Sequence, residues 1–376
     1  MRQKRLFAVL LCAGIVFSSV GCSKKKQTET NGESEITSVE MTSETTSAPS
    51  KTETTSETTE ETPTPTPSPT PDPIPEITPR TASYFGEFVP YVCSDLMKQC
   101  YTEEELQDYY HFCEAVLAEE ESFPCHSFSG YETAYHMISR DYFPYGYDVV
   151  GCPEEADFKD GVAKIRYNET KEWREQRYND LKNACEEIFQ NVFKEDYTDF
   201  EKALSLYIYF AKTYTYDWNL EHSTDGYREV YRPLMRKIGV CNEFAAAYAY
   251  LLLQVGVEAD YANGFPQGET EDGHRWNLVR LDGEYYHVDT TWAIGNLYLD
   301  YFLMDDDQRT KHGEIFKDGI EITEVPRFDE SNFKMTSRKY SELWDALSYE
   351  VDYDNNVIRY TVADADGNSI NKEFHY

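Results

Sequence analysis

Cys241, His274 and Asp289 follow one another along residues 239–292. They are the parts of a thiol nucleophile, a general base and the carboxylate that orients it. Cys241 stands in Gly239-Val240-Cys241-Asn242-Glu243-Phe244, and His274 in Gly273-His274-Arg275-Trp276-Asn277. Asp289 lies in Tyr285-Tyr286-His287-Val288-Asp289-Thr290-Thr291-Trp292. A thiol attacks a carbonyl only as thiolate, so something must lower its pKa. An imidazole works as base only if its tautomer is held, which is the task of the carboxylate.

The elements around these residues are of a kind that would position them. Residues 242–254 are apolar and Ala-rich enough for a buried helix that Gly256 stops. Cys241 then sits at the helix N-terminus, where the macrodipole and free backbone N–H groups favour a thiolate and can hold an oxyanion. Residues 275–281 and 284–289 read as strands joined by Asp282-Gly283, a two-residue hairpin turn. Leu281 then faces Glu284, Trp276 faces Asp289 and His274 faces Thr291, all of the last four side chains on one side of the sheet. His274 and Asp289 become diagonal neighbours, about 7–8 Å apart by backbone and closer at the side-chain tips. His287 falls on the same face and competes as base, but it lies further from the open end of the hairpin. Asn242, Trp276 and Trp292 are candidates for substrate contact, with core packing as the plainer reading of the two Trp.

These motifs resemble the core of the transglutaminase-like superfamily. The likeness runs over about residues 198–315 and includes the helix and tyrosine stretch through Tyr214-Thr215-Tyr216-Asp217, and Tyr301-Phe302-Leu303-Met304 downstream. It implies a papain-like α+β fold, with a helix carrying Cys241 packed on an antiparallel sheet carrying His274 and Asp289. It also implies the roles of nucleophile, base and orienter for those three residues. Val240 and Asn242 stand where animal transglutaminases have Gln and Trp. Peptide hydrolysis and acyl transfer through a thioester are both open, on protein or peptide substrates that include cell-wall peptide. The alternative is a non-catalytic surface module that holds wall peptide or glycan. No cofactor and no metal is called for.

Outside this core the chain divides by composition. Residues 1–21 read as a signal peptide, basic at Arg2, Lys4 and Arg5 and then apolar. Gly21-Cys22 resembles a bacterial lipobox, which makes Cys22 the lipidation site and places the protein outside the cytoplasm, anchored to the cell membrane. Residues 22–80 are rich in Thr, Ser, Glu and Pro and read as a disordered tether. Residues 81–197 form a helical, Tyr-rich extension. Its capping box at Thr102 and Glu105 starts one helix; residues 131–150 read as strands and loops. Residues 172–193 read as a helix with Trp173 on its apolar face, and Thr198 with Glu201 starts another. The core takes residues 198–326, and residues 327–376 alternate as a small β-meander.

A net charge of -34 repels phosphate backbones and excludes nucleic acid as a natural partner. It also repels anionic lipid, so membrane contact needs the lipid at Cys22. Of the 9 cysteines, Cys93, Cys100, Cys113, Cys125, Cys152 and Cys185 remain after Cys12, Cys22 and Cys241 are set aside. They read either as three disulfides or as buried thiols. Asp305-Asp306-Asp307 reads as a solvated turn.

Overall fold

The computed structural model describes residues 73–80, 88–138, 143–219, 230–264, 274–311 and 334–376. The expected signal peptide, Cys22, the expected tether as far as residue 72, and Gly273 lie outside the described residues.

The first helices begin where their caps require. After the single turn α1 (Asp95–Lys98), α2 (Glu103–Leu117) starts at the Thr102 box, with the Glu105 carboxylate accepting from the Thr102 N–H at 2.7 Å. Residues 131–150 hold two helices, α3 (Phe128–Met137) and α4 (Pro144–Val149), in place of the expected strands and loops. The overlooked signals are caps. The Ser127 hydroxyl accepts from the Gly130 N–H at 2.9 Å, and Pro144 takes the first helical position, where a missing N–H costs nothing. The tyrosines serve as core: Tyr109, Tyr131 and Phe143 are fully buried, and Phe112 stacks on Phe123 at 4.8 Å. A small sheet of β1 (Ser122–Pro124), β3 (Val162–Lys164) and β2 (Phe158–Lys159), in that order, closes this end.

Residues 73–80, read as the end of the tether, lie against α2. Ile77 N–H donates to Gln107 Oε1 at 2.7 Å, and Gln107 Nε2 donates back to the Ile77 carbonyl at 3.1 Å. Arg80 grips Glu114 with Nε and Nη2, at 2.7 and 2.9 Å. Composition alone cannot register this docking, because its partners are supplied by a helix further on. The cysteines resolve similarly: Cys93, Cys100, Cys113, Cys125 and Cys185 are free thiols, all but Cys93 buried. Three disulfides among the six are therefore not made.

Two long helices follow, α5 (Lys171–Val192) and α6 (Asp199–Thr213), the second with the expected box at Thr198 and Glu201. Trp173 departs from expectation: it lies in the first turn of α5, 36% exposed, with Arg177 over its ring. The centre of the fold is α8 (Cys241–Gln254) packed on the antiparallel sheet β6-β7-β8. Its strands are β6 (Ala259–Gly264), β7 (His274–Leu281) and β8 (Glu284–Val288). Ala245, Ala246, Ala247 and Ala249 are buried on α8 and let the helix lie close. Asn277 fastens the pair by donating from Nδ2 to the Ala245 carbonyl on α8 at 2.7 Å and to the Asp260 carbonyl at 3.3 Å.

The C-terminal meander has the order β11-β10-β9, from β9 (Ser348–Asp352), β10 (Val357–Ala363) and β11 (Ser369–His375). It returns onto α6, where Phe200 meets Tyr376 at 4.6 Å and Phe374 at 6.2 Å between ring centres. Trp344 donates from its indole to the Phe302 carbonyl at 3.1 Å. The architecture is α+β: a helix-on-sheet core, a helical N-terminal extension and a C-terminal β-meander.

Candidate active site

Cys241 is placed by the loop before it as much as by α8. Two very short strands, β4 (Thr215–Tyr216) and β5 (Ile238–Gly239), pair in parallel, and Asp217 N–H donates to the Gly239 carbonyl at 2.8 Å. The helix α7 (Tyr231–Arg236) carries Arg232 underneath this loop. Arg232 is 2% exposed and donates from Nε to Glu243 at 2.8 and 3.0 Å and from Nη1 to Asp217 at 2.7 Å. Glu243 in turn accepts from the Val240 N–H at 2.9 Å. One buried cation thus ties both sides of the loop before Cys241 to the first turn of α8. Gly239 is needed for space: a Cβ there would stand 3.0 Å from the Phe244 ring and 3.1 Å from Glu243 Oε2.

The hairpin is the one its turn chemistry requires. Asp282 and Gly283 both take positive φ, at 52° and 86°, the turn that matches strand twist. Leu281 pairs with Glu284, and the register runs on to Asn277 opposite Val288. The strand then stops one residue short of expectation. Asp289 turns into a helix cap, its Oδ1 accepting from the N–H groups of Thr291 and Trp292 at 3.1 and 3.3 Å, and α9 (Thr290–Ala293) begins. Thr291 is therefore helical and does not pair with His274. The cap leaves Oδ2 free to meet His274 Nε2 at 2.8 Å.

With Nε2 given to Asp289, the other ring nitrogen of His274 serves Cys241, to which the ring is hydrogen-bonded. Burial alone would push the Cys241 thiol up. The hydrogen bond and positive charge of His274, with the Arg275 backbone N–H, outweigh it, and the thiol falls below its ordinary value. Burial opposes the imidazolium, yet Asp289 and then Cys241 raise His274 to about 9. The Asp289 carboxyl is held low despite burial, chiefly by His274 and then by Arg309. All three shifts favour thiolate, imidazolium and carboxylate together. Other thiols behave oppositely: burial pushes Cys93 and Cys125 up to about 12, and raises Cys113 and Cys185 well above the ordinary thiol value.

His287 is committed elsewhere. Its Nδ1 accepts from the Trp276 indole N–H at 2.9 Å, so its proton sits on Nε2 and is donated to Asp306 Oδ1, also at 2.9 Å. It is 1% exposed, and burial pushes its pKa down, so it is neutral. Trp276 is 2% exposed and offers no open N–H to a ligand. Asp306 begins the short helix α10 (Asp306–Lys311), and Asp305 is buried against Arg338 at 3.2 Å; of the run expected as a solvated turn, Asp307 alone is exposed while Asp305 and Asp306 hold the helix start. Arg309 on the same helix is 3% exposed, lies over Trp276 at 4.5 Å and faces Asp289 Oδ2 from 3.3 Å. Nothing near Arg309 in sequence announces this. An Arg one turn into a short acidic helix is ordinary until the helix is seen to pack on the hairpin.

Two further polar atoms, Asn242 Oδ1 and Trp292 Nε1, are buried without a hydrogen-bond partner among the described residues. Asn242 follows Cys241, and the Trp292 ring lies 6.0 Å from His274. Cys22, the expected lipid site, lies outside the described residues.

The model of the transglutaminase-like superfamily matches residues 186–290, which include Cys241, His274 and Asp289. Kyphoscoliosis peptidase of Homo sapiens is 26% identical over 126 residues, 30% of this chain and 19% of that protein. The Mus musculus kyphoscoliosis peptidase is 25% identical over 127 residues, 31% of this chain and again 19% of the relative. The match thus spans about a fifth of the length of these curated relatives. Among solved structures, the periplasmic domain of TgpA from Pseudomonas aeruginosa, bound to ethylmercury, is 20% identical. The alignment covers 31% of this chain and 45% of that one, at a TM-score of 0.25.

Proposed function

We propose, from a chain whose residues 186–290 match the model of the transglutaminase-like superfamily, that it is a thiol enzyme acting on amide bonds of proteins or peptides. One observation carries this reading. Cys241 opens α8 beside the buried His274 that Asp289 holds at 2.8 Å, and its thiol is lowered where burial raises the thiols of Cys113, Cys125 and Cys185. A cysteine kept for packing has no use for an imidazolium at its sulfur.

The Cys241 thiolate attacks the carbonyl carbon, an S–C bond forms, and the charge moves to oxygen. Backbone N–H groups at the start of α8 are the proposed donors to that oxyanion. The C–N bond then breaks as His274 gives its proton to the leaving amine, and a thioester remains. His274, now neutral, takes a proton from the acceptor as that acceptor attacks, and the S–C bond breaks. Water as acceptor gives hydrolysis; a substrate amine gives acyl transfer. Asp289 keeps the His274 tautomer and stays ionised throughout. Asn242 Oδ1 and Trp292 Nε1, an acceptor and a donor without partners, are the proposed contacts for the N–H and C=O of the substrate backbone.

We place the enzyme outside the cytoplasm, held to the membrane by lipid at Cys22, with cell-wall peptide among its substrates. The support is the apolar N-terminus ending in Gly21-Cys22 and the Thr/Pro-rich run behind it.

Single-turnover acylation by an activated ester tests the chemistry without the natural substrate. Cys241→Ala and His274→Ala should each lose roughly three or more decades, and Asp289→Asn a large part of the rate. His287→Ala should lose stability first and keep more of the rate than His274→Ala. Equal acylation by wild type and Cys241→Ala would move the surface-binding reading ahead.

A further inference from the structure

Arg309 is a buried cation that the proposed reaction does not consume. Among the described residues its Nε, Nη1 and Nη2 make no hydrogen bond. Its charge meets one anion, Asp289, from 3.3 Å, on the same Oδ2 that accepts from His274. Its flat side lies on Trp276, whose own N–H is fixed by His287 and so by Asp306 on the helix that carries Arg309. α10 therefore delivers a carboxylate to one histidine and a cation to the carboxylate of the other.

We infer that Arg309 is a positioning residue of the thiol centre: it neutralises the buried Asp289 charge, and so sets the pH at which the Cys241–His274 ion pair forms. The inference rests on the triad reading above. With Arg309, the set of Cys241, His274, Asp289 and Arg309 carries no net charge, whether the shared proton lies on sulfur or on the ring. Adding a second proton, which removes the thiolate, gives that buried set a net positive charge. Without Arg309 the ion-pair state is net negative, and the same added proton makes it neutral. Removing Arg309 therefore favours protonation, and the thiolate should appear only at higher pH.

The other groups facing this centre do not duplicate the effect. Arg275 on β7 acts on Cys241 but stacks over Tyr261 at 4.2 Å. His287 on β8 is neutral, and the phenol of Tyr301 lies near Arg309. Asp306 is taken by His287, and Asp305 by Arg338. Arg309 itself is lowered by burial to about 10 and remains charged at neutral pH.

The test is the rate of alkylation of Cys241 in the full mature chain against pH, followed by mass spectrometry of the Cys241 peptide. It reads thiolate and needs no turnover. An inert enzyme whose Cys241 still responds to Arg309 would sink the catalytic reading but keep this one. Arg309→Met should move the acid midpoint upward by roughly one pH unit, and Arg309→Lys should restore most of the shift. A role in packing alone would lower the rate at every pH and leave the midpoint in place. A folded Arg309→Met protein with the wild-type midpoint overturns the inference. If Arg309→Met does not fold, the double variant with Asp289→Asn decides. Recovered folding supports charge compensation, and failure of both overturns it in favour of packing on Trp276.

Discussion

The two histidines of the hairpin show how environment assigns work to one residue type. Both are buried near a carboxylate, but His287 has each ring nitrogen occupied by a neighbour in a closed set, while His274 keeps one nitrogen for a sulfur. The consequence is a pH profile. Cys241 titrates below a free thiol and His274 at about 9, so the ion pair exists between those limits. The sign at each limb follows. Turnover rises with pH as the thiol ionises and falls as the imidazolium that must protonate the leaving amine is lost. We expect kcat/KM for an activated amide to hold its plateau toward about 9, and Asp289→Asn to bring the alkaline limb down, because the charge that raises His274 is gone. An alkaline limb at the ordinary imidazole value of about 6.5 in the wild type would contradict the ion pair.

At the scale of elements, the site depends on a joint that makes no contact with the sulfur. Arg232 on α7 holds Glu243 at the start of α8 and Asp217 at the end of β4, all buried. Taking away the guanidinium strands two carboxylates out of water. Arg232→Met should therefore cost about 3–5 kcal/mol, visible as a lower thermal midpoint. Arg232→Lys should recover only part, since an ammonium cannot satisfy both oxygens of Glu243 and Asp217 at once. Adding Glu243→Gln to Arg232→Met should restore some stability by removing one stranded charge. A melt of Arg232→Met equal to wild type would show that the loop before Cys241 is held by other contacts.

Across the whole molecule, residues 73–80, read as the end of the tether, are held on α2. The Arg80–Glu114 pair is about one-third exposed, so it contributes at most about 1 kcal/mol. The bonds of Ile77 with Gln107, and of His111 with the Pro75 carbonyl at 2.7 Å, add to it. A chain starting at Thr81 should be less stable than one starting at Pro73 by about 1–3 kcal/mol, seen in chemical denaturation. Equal stability of the two would mean that the docked stretch contributes nothing. The proposed anchor is a separate matter: Cys22→Ala should shift the mature protein from the membrane fraction to the soluble one, and unchanged partition would rule out lipid at that residue.

What the sequence by itself determined are the features written within a few residues of one another. The boxes at Thr102 and Thr198, the Asp282-Gly283 turn, the hairpin register as far as Asn277 and Val288, and the helix opening at Cys241 were all legible from local rules. Caps, turns and pleats are short-range, so the residues that cause them stand beside them in the chain. The helices of residues 131–150 belong to the same class, signalled by the cap at Ser127 and by Pro144 in the first turn of α4. The rest was decided by tertiary structure. Strand β6 as partner of β7, Asp306 against His287, Arg309 against Asp289, and residues 73–80 against α2 all join segments brought together by packing. A carboxylate or guanidinium looks the same in sequence whether it faces water or a histidine. Its partner, and with it the proton affinity of the site, is chosen only when the layers close and water is excluded.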